Sequence, residues 1–468
     1  MAWLVAEAER QPVLAAQFHH VAETQPELLA HHYTEAGLYE LAVTSLRQAG
    51  EQAIQRSANV EAIGHLTKAL EVLKTLPETP ERTRHELDLL TLLAPVLMAT
   101  KGFTAVEVEH TYIRARELCQ DVGETPQLFP VLSGLARLYF VRAQYETALE
   151  LEEQLLSLAS RQQEPLLLQE AHRRHGASLS ALGELSAART HLEHAMGFYD
   201  RHNRRPHGAV QDPGVACLSF LAWTLSALGY LDQALACNRQ AVALAQELSH
   251  PFSLAFATSH MAWTHQLRRE VQAGQEQAKE AIHIATEQGF PLLSGFATIL
   301  WGWARASQGQ GEEGVAQVRQ GLAMYRSTGQ MNFYPYYLAL LAEVYGKVGQ
   351  AVEGLRVIAE ALEIAAKTQE RFYVAELHRL QGELLLTLST EQYRAEATTC
   401  FQQALDIARH QQGKSWELRA ATSLARLWQQ QGKKGEAREL LAPIYGWFTE
   451  GFDTADLQEA KALLEAQG

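Results

Sequence analysis

Two stretches, Ser249–Trp263 (SHPFSLAFATSHMAW) and Gly289–Trp303 (GFPLLSGFATILWGW), are one phrase written twice, forty residues apart. Superimposing them places Pro251 on Pro291, Phe256 on Phe296, Ala257 on Ala297, Thr258 on Thr298 and Trp263 on Trp303. Self-similarity at a fixed spacing is the signature of a repeat array, in which each unit buries its apolar face only against its neighbours. One unit further back the register meets Trp223 in LSFLAWTLSALGY. Three tryptophans therefore share one position of the repeat.

The same period extends outward in both directions. A small residue early in the second helix of each unit falls at Ala148, Ala188, Ala234, Gly274, Gly314, Gly354, Ala397 and Ala437, with intervals of 40, 46, 40, 40, 40, 43 and 40. The two long intervals coincide with insertions, DRHNRRPHGAVQDPG from Asp200 to Gly214 and LSTEQY from Leu388 to Tyr393. Glycines at 183, 229, 309, 349 and 432 mark the hairpin turns. Toward the N-terminus the pattern is weaker but legible. Leu29, Ala30 and Tyr33 share a helical face, Gly37 breaks the helix, and Tyr39, Ala42, Leu46 and Ala49 line the next one. A third helix repeats the spacing in Ala62, Leu66 and Ala69, with Ser57 expected as its cap. Pro77 and Pro80 stop it, and a further pair turns at Lys101-Gly102.

Small residues let two antiparallel helices approach, and large ones at i, i+3, i+4 and i+7 fill the space to the next pair. That is the tetratricopeptide pattern, lengthened here by most of a turn per helix. The expectation is an all-α, right-handed superhelical solenoid of roughly ten hairpins with a period of about 40 residues. Its parts are an N-terminal helix over 1–24 left from an upstream junction, degenerate repeats over 25–125, a regular array over 126–450 and a capping helix over 451–468.

The chain of 468 residues carries 40 Lys and Arg against 54 Asp and Glu, a net charge of −14, which repels a phosphate backbone and argues against nucleic acid. No apolar run approaches the ~18 residues of a membrane span, and the start MAWLVAEAERQPVL lacks the features of a secretory signal. The four cysteines (119, 217, 237 and 400) are isolated in helical surroundings, so the expected setting is a reducing cytoplasm.

The residues ETQPELLAHHYTEAGLYELAV, RSANVEAIGHLTKALEVLKTLPETPER, QDPGVACLSFLAWTLSALGYLDQAL, AQELSHPFSLAFA and GWFTEGFDTADLQEAKALLE carry a resemblance. From about Glu23 onward the chain resembles the C-terminal repeat region of large bacterial signalling proteins that join a nucleotide cyclase, a STAND-type ATPase and tetratricopeptide repeats. More distantly it is similar to transcription activators of the maltose-regulon type, whose repeat domain receives a small-molecule inducer. The resemblance implies a recognition or regulatory arm acting on an attached or partner ATPase or cyclase. No position matches a catalytic residue of those domains, so the chain reads as a fragment, a truncated product or a stand-alone sensor arm.

Chemistry-bearing motifs are few. Gly413-Lys414-Ser415 lacks the upstream glycine of a phosphate-binding loop and reads as an inter-repeat turn. His172 and His175 face His191 and His194 across one hairpin, but Arg173 and Arg174 would repel a cation, so no metal is expected. The basic run Arg201 to His207 reads as a solvated insertion. No catalytic constellation or cofactor motif is present, and a non-catalytic role is expected.

The candidate binding residues come from the tryptophan register. With Ala222, Ala262 and Gly302 at position 8 of the first helix, Trp223, Trp263 and Trp303 take position 9, which tends to line the concave groove of such arrays. The same position holds Arg137 and Ala177 before the tryptophans and Glu343, Glu383 and Arg426 after them. Phe256, Phe296 and Tyr336 stand at position 2 and could widen the aromatic strip. Aromatic in the middle and charged at both ends suits a groove for a protein or peptide partner. A Trp-lined small-molecule pocket of the inducer type is the alternative. The tryptophans could equally fill space between repeats. Both placements remain open at this level.

Overall fold

The computed structural model describes residues 25–466 apart from Ser57, Glu124, residues 201–210 and Ser389. The expected cap at Ser57, the helix expected over 1–24 and the basic run Arg201 to His207 lie outside the described residues. Twenty-two helices, and no strand, are found among the described residues. Contacts divide them into two units, one up to Leu138 and one from Tyr139 onward.

The first unit holds α1 (Pro26–Glu35), α2 (Tyr39–Gln55), α3 (Asn59–Leu73), α4 (Pro80–Lys101), α5 (Val106–Val122) and most of α6 (Leu128–Val141). The apolar stripe read from sequence is the buried one: Leu29, Ala30, Tyr33, Ala42, Leu46, Ala49, Ala62, Leu66 and Ala69 are all enclosed, whereas Tyr39 is exposed. Pro80 opens α4, where it has no N–H to leave unpaired, and the Thr79 hydroxyl accepts from Arg82 N at 3.2 Å.

The second unit continues with α7 (Tyr145–Gln162), α8 (Pro165–Ala181), α9 (Leu185–Gly197), α10 (Pro213–Leu228), α11 (Leu231–Glu247), α12 (Pro251–Leu267), α13 (Val271–Glu287), α14 (Pro291–Ser307) and α15 (Gly311–Ser327). It ends with α16 (Tyr334–Lys347), α17 (Ala351–Thr368), α18 (Val374–Thr387), α19 (Glu391–His410), α20 (Lys414–Gln430), α21 (Lys434–Tyr445) and α22 (Ala455–Glu465). The chain is a tetratricopeptide-like helical-repeat solenoid. All five hairpin-turn glycines have positive φ, between 77° and 98°. Helices α14 and α15 meet most closely. A methyl group on Gly302 would lie 2.7 Å from both Val318 N and Val318 Cγ2, and one on Gly314 would lie 2.8 Å from Gly302 O.

In this unit the later first-helices return to the earlier ones. Val141 O accepts from Met331 N and Asn332 N at 2.8 and 3.2 Å, and Ala181 O from Arg371 N and Phe372 N at 2.8 and 3.1 Å. Ser226 O accepts from the Ser415 hydroxyl at 2.6 Å, and Leu267 O accepts from the Arg419 guanidinium. Carbonyls at the ends of α6, α8 and α10 thus accept from groups nearly five repeats away, and that of α12 from a group nearly four repeats away. The C-terminal segment closes the same seam. The Glu450 carboxylate accepts from Asp232 N and Gln233 N at 2.9 and 3.1 Å, and Arg268 reaches Asp232 and Asp453 at 3.0 and 3.3 Å.

Candidate functional site: a charged pocket beside Trp303

Because the first helices converge, their inward residues meet as a core rather than as a row. Trp223 and Trp263 lie with ring centroids 4.0 Å apart, and Trp263 stacks on Tyr336 at 4.3 Å. Phe333 and Phe372, from the turns that open α16 and α18, close on the same rings. Trp223 and Trp263 are 2% and 0% exposed. Tyr336 is fully buried and donates its hydroxyl to Gln266 Oε1 at 2.8 Å, Phe296 is buried, and Phe256 is half-buried against His260. Burial pushes His260 down to about 3, so it is neutral, and its Nδ1 stands 2.6 Å from Phe256 O.

The register behaves differently past Trp263. Trp303, Glu343, Glu383 and Arg426, the next four occupants of position 9 on α14, α16, α18 and α20, line one pocket of about 380 Å³. Trp303 forms part of its wall and its indole Nε1 has no hydrogen-bond partner. A second stripe on α18 and α20 supplies the floor. Glu376 and Arg379 pair at 2.8 Å, and Arg419 bridges Glu376 at 3.0 Å and Asp456 at 2.7 Å. Arg269 joins Asp456 at 3.1 Å and Glu459 at 2.9 Å, and Arg426 pairs with Glu383 and Glu459. Lys347 stands 3.3 Å from Glu343 at the rim.

Glu376, Arg419 and Asp456 are 1%, 8% and 8% exposed, so this network sits where isolated charges are costly. Burial alone would raise the Glu376 carboxyl, but Arg379 and Arg419 outweigh it and hold the group below its usual value. Asp456 is likewise pushed up by burial and brought below its usual value by Arg419 and Arg269. Both are charged at neutral pH. The result is a fixed array of alternating charge beside a wall that includes the buried Trp303 ring. It presents donors and acceptors in set directions, and the Ser423 hydroxyl on its lining donates to Glu383 Oε1 at 2.5 Å.

The structure therefore places Trp223, Trp263, Phe296 and Tyr336 in the aromatic core, and Trp303, also only 2% exposed, between that core and the pocket that Glu343 lines. Arg137 lies in the first unit, its guanidinium 5.3 Å from the Phe103 ring centre. Sequence reading missed Glu376, Arg379, Arg419 and Asp456. For Glu376, Arg379 and Arg419 the signal was present as charges at helical spacing in VAELHRLQGELLLT and KSWELRAATSLARLWQQ.

The other motifs resolve simply. Gly413 immediately precedes α20, with Ser415 bonded to Ser226 O and Lys414 2.7 Å from Glu417. His172 Nδ1 lies 3.1 Å from His191 Nδ1, with His175 and His194 against them. Burial and mutual repulsion lower His172 and His175 to about 4. Among the described residues no group of three or more His, Cys, Asp or Glu is arranged to hold a metal, and no helix is long and apolar enough to cross a membrane.

Comparison with known proteins agrees with this architecture. A tetratricopeptide repeat family model matches residues 215–251. An uncharacterized protein of Rhizobium meliloti is 27% identical over 407 residues, covering 85% of this chain and 39% of that protein. The chain thus spans about two fifths of the length of that relative. The crystal structure of a Rap protein complexed with Competence and Sporulation Factor is similar with a TM-score of 0.58 at 13% identity, covering 79% of this chain and 98% of that one. The Rap conjugation gene regulator of plasmid pLS20, in complex with a Phr peptide, is similar at a TM-score of 0.49 and 14% identity, covering 78% and 96%. The likeness to the Rap protein complexed with Competence and Sporulation Factor concerns the fold.

Proposed function

We propose that the chain is a non-catalytic recognition and regulatory module that takes a short peptide segment of a partner protein in the charged pocket beside Trp303. The observation that carries this reading is the gathering of Trp303, Glu343, Glu383 and Arg426 into one space of about 380 Å³. The segment's charged side chains exchange with the rim pairs Lys347–Glu343 and Arg426–Glu459. A peptide is preferred over a Trp-lined small-molecule pocket because Trp223 and Trp263 are enclosed by the chain's own rings. The Rap protein of similar fold was crystallised with Competence and Sporulation Factor, and this proposal extends a binding role of that kind to the present chain.

The module's partner, on this reading, is a signalling ATPase or nucleotide cyclase, either attached or separate. The greater length of the Rhizobium relative is in keeping with an attached arrangement. The test is fluorescence polarisation with a positional library of labelled hexapeptides. Saturable binding of a subset carrying both charge signs is expected. Arg426→Ala and Lys347→Ala, both on partly exposed side chains, should weaken it about tenfold or more while leaving helicity intact. Binding indifferent to both substitutions refutes the site.

A further inference from the structure

We propose that a second cleft, between α17 and α19 over the start of α18, binds an amphipathic amine, an ammonium group carried on an apolar body. The cleft has a volume of about 790 Å³, within the range of ligand sites. Its walls are Leu362, Ala365 and Ala366 of α17, Val374 of α18 and Ile407 of α19. None of these residues lines the charged pocket beside Trp303.

Buried polar atoms normally have partners, and each exception asks for a cause. Among the described residues twelve buried side-chain nitrogens and oxygens have none, and five of those are tryptophan Nε1 atoms. Three of the remaining seven, Glu370 Oε1, His378 Nδ1 and Gln411 Oε1, belong to residues lining this one cleft. The chain's own bonds fix two of them as acceptors. Glu370 Oε2 already accepts from the Tyr145 hydroxyl at 2.6 Å and from Phe333 N at 2.9 Å, leaving Oε1 over. Gln411 Nε2 donates to Arg371 O at 2.7 Å, leaving its carbonyl oxygen over.

Two buried acceptors beside a neutral or accepting imidazole call for donors, and an ammonium brings three with a charge that matches a carboxylate. Asp406 adds a second carboxylate to the lining, against an anionic ligand. The exposed Arg371 guanidinium stands at the rim, 3.3 Å from Gln369 Oε1. The aliphatic walls take the apolar body.

The probe set is 2-phenylethylamine, 2-phenylethanol and phenylacetate, three ligands of one shape and different charge, titrated calorimetrically into the full chain at pH 8. Burial raises Glu370 to about 7, so its carboxylate is largely charged there. Saturable binding of the amine is expected, at least about tenfold tighter than either analogue. Glu370→Gln, which keeps an acceptor for Phe333 N, should weaken the amine about tenfold. Ala366→Trp, on an exposed position of the wall, should abolish binding with the melting curve unchanged. Arg426→Ala, in the charged pocket, should leave amine binding as it was, so this proposal and the peptide reading fail separately. Equal binding of the alcohol, binding that survives Ala366→Trp, or no saturable heat with the folded wild-type chain would each overturn the assignment.

Discussion

Replacing Trp263 by alanine should cost the fold far more than it costs recognition. The ring is fully buried and touches Trp223, Phe296, Phe333, Tyr336 and Phe372. Burying a Trp removes roughly 200 Å² of surface from water, worth about 5 kcal/mol at ~25 cal/mol per Å² as an upper bound. Measured Trp→Ala losses in cores run about 3–5 kcal/mol, the range expected here. Trp303→Ala removes a ring with one edge on the charged pocket, where water can refill part of the void, so its cost should be smaller, about 2–3 kcal/mol. Guanidinium unfolding followed by far-UV circular dichroism reads both variants, and polarisation with a bound hexapeptide reads recognition. Trp263→Ala should lose stability and, at low denaturant, retain peptide affinity, whereas Trp303→Ala should lose affinity. An alanine at 263 that leaves the transition within about 0.5 kcal/mol of wild type and abolishes peptide binding would refute the placement of that ring in the core.

Other substitutions probe the same architecture. Arg419→Met leaves Glu376 and Asp456 short of a buried partner and should destabilise by about 3–5 kcal/mol at pH 7. Those carboxylates have lowered folded values, so their contribution is present above the unfolded value near 4 and disappears as pH falls through the folded one. The penalty should therefore shrink at pH 3, and denaturant titrations at both pH values check it. His260 has a folded value depressed to about 3 from 6.5, so its contribution is full above pH 6.5 and is lost as pH falls below it. Relative to His260→Phe, the wild-type chain should lose roughly 3 kcal/mol between pH 7 and pH 4, measured by the same titrations. Gly302→Ala forces a methyl group to 2.7 Å from Val318 N and should cost about 1–3 kcal/mol by thermal unfolding, because backbone has to move. Glu450→Ala removes the acceptor at the start of α11 and should cost about 1 kcal/mol, with faster amide exchange at Asp232 and Gln233.

What the sequence could reveal follows from the range of the forces involved. A hairpin is a local object, so its turn glycines and the small residues at Ala234, Gly274 and Gly314 show directly as a period, and the buried stripe of α1 to α3 follows from helical spacing. Whether a position-9 ring faces a groove or a core is decided elsewhere, by which distant repeat arrives opposite it. Trp263 meets Tyr336 and Phe372 because the solenoid has turned far enough for Val141 and Ala181 to cap against residues 331 and 371. No period of 40 encodes that turn count, since it accumulates from small rotations at every interface. The charged stripe was the readable part. Glu376, Arg379 and Glu383 fall at i, i+3 and i+7 on α18, and Arg419 and Arg426 at i and i+7 on α20, on helices whose other faces are largely apolar. Charges held at helical spacing inside such helices require partners on a neighbour. In the structure those partners link α18 to α20 and, through Asp456, to α22, which together form one side of the pocket.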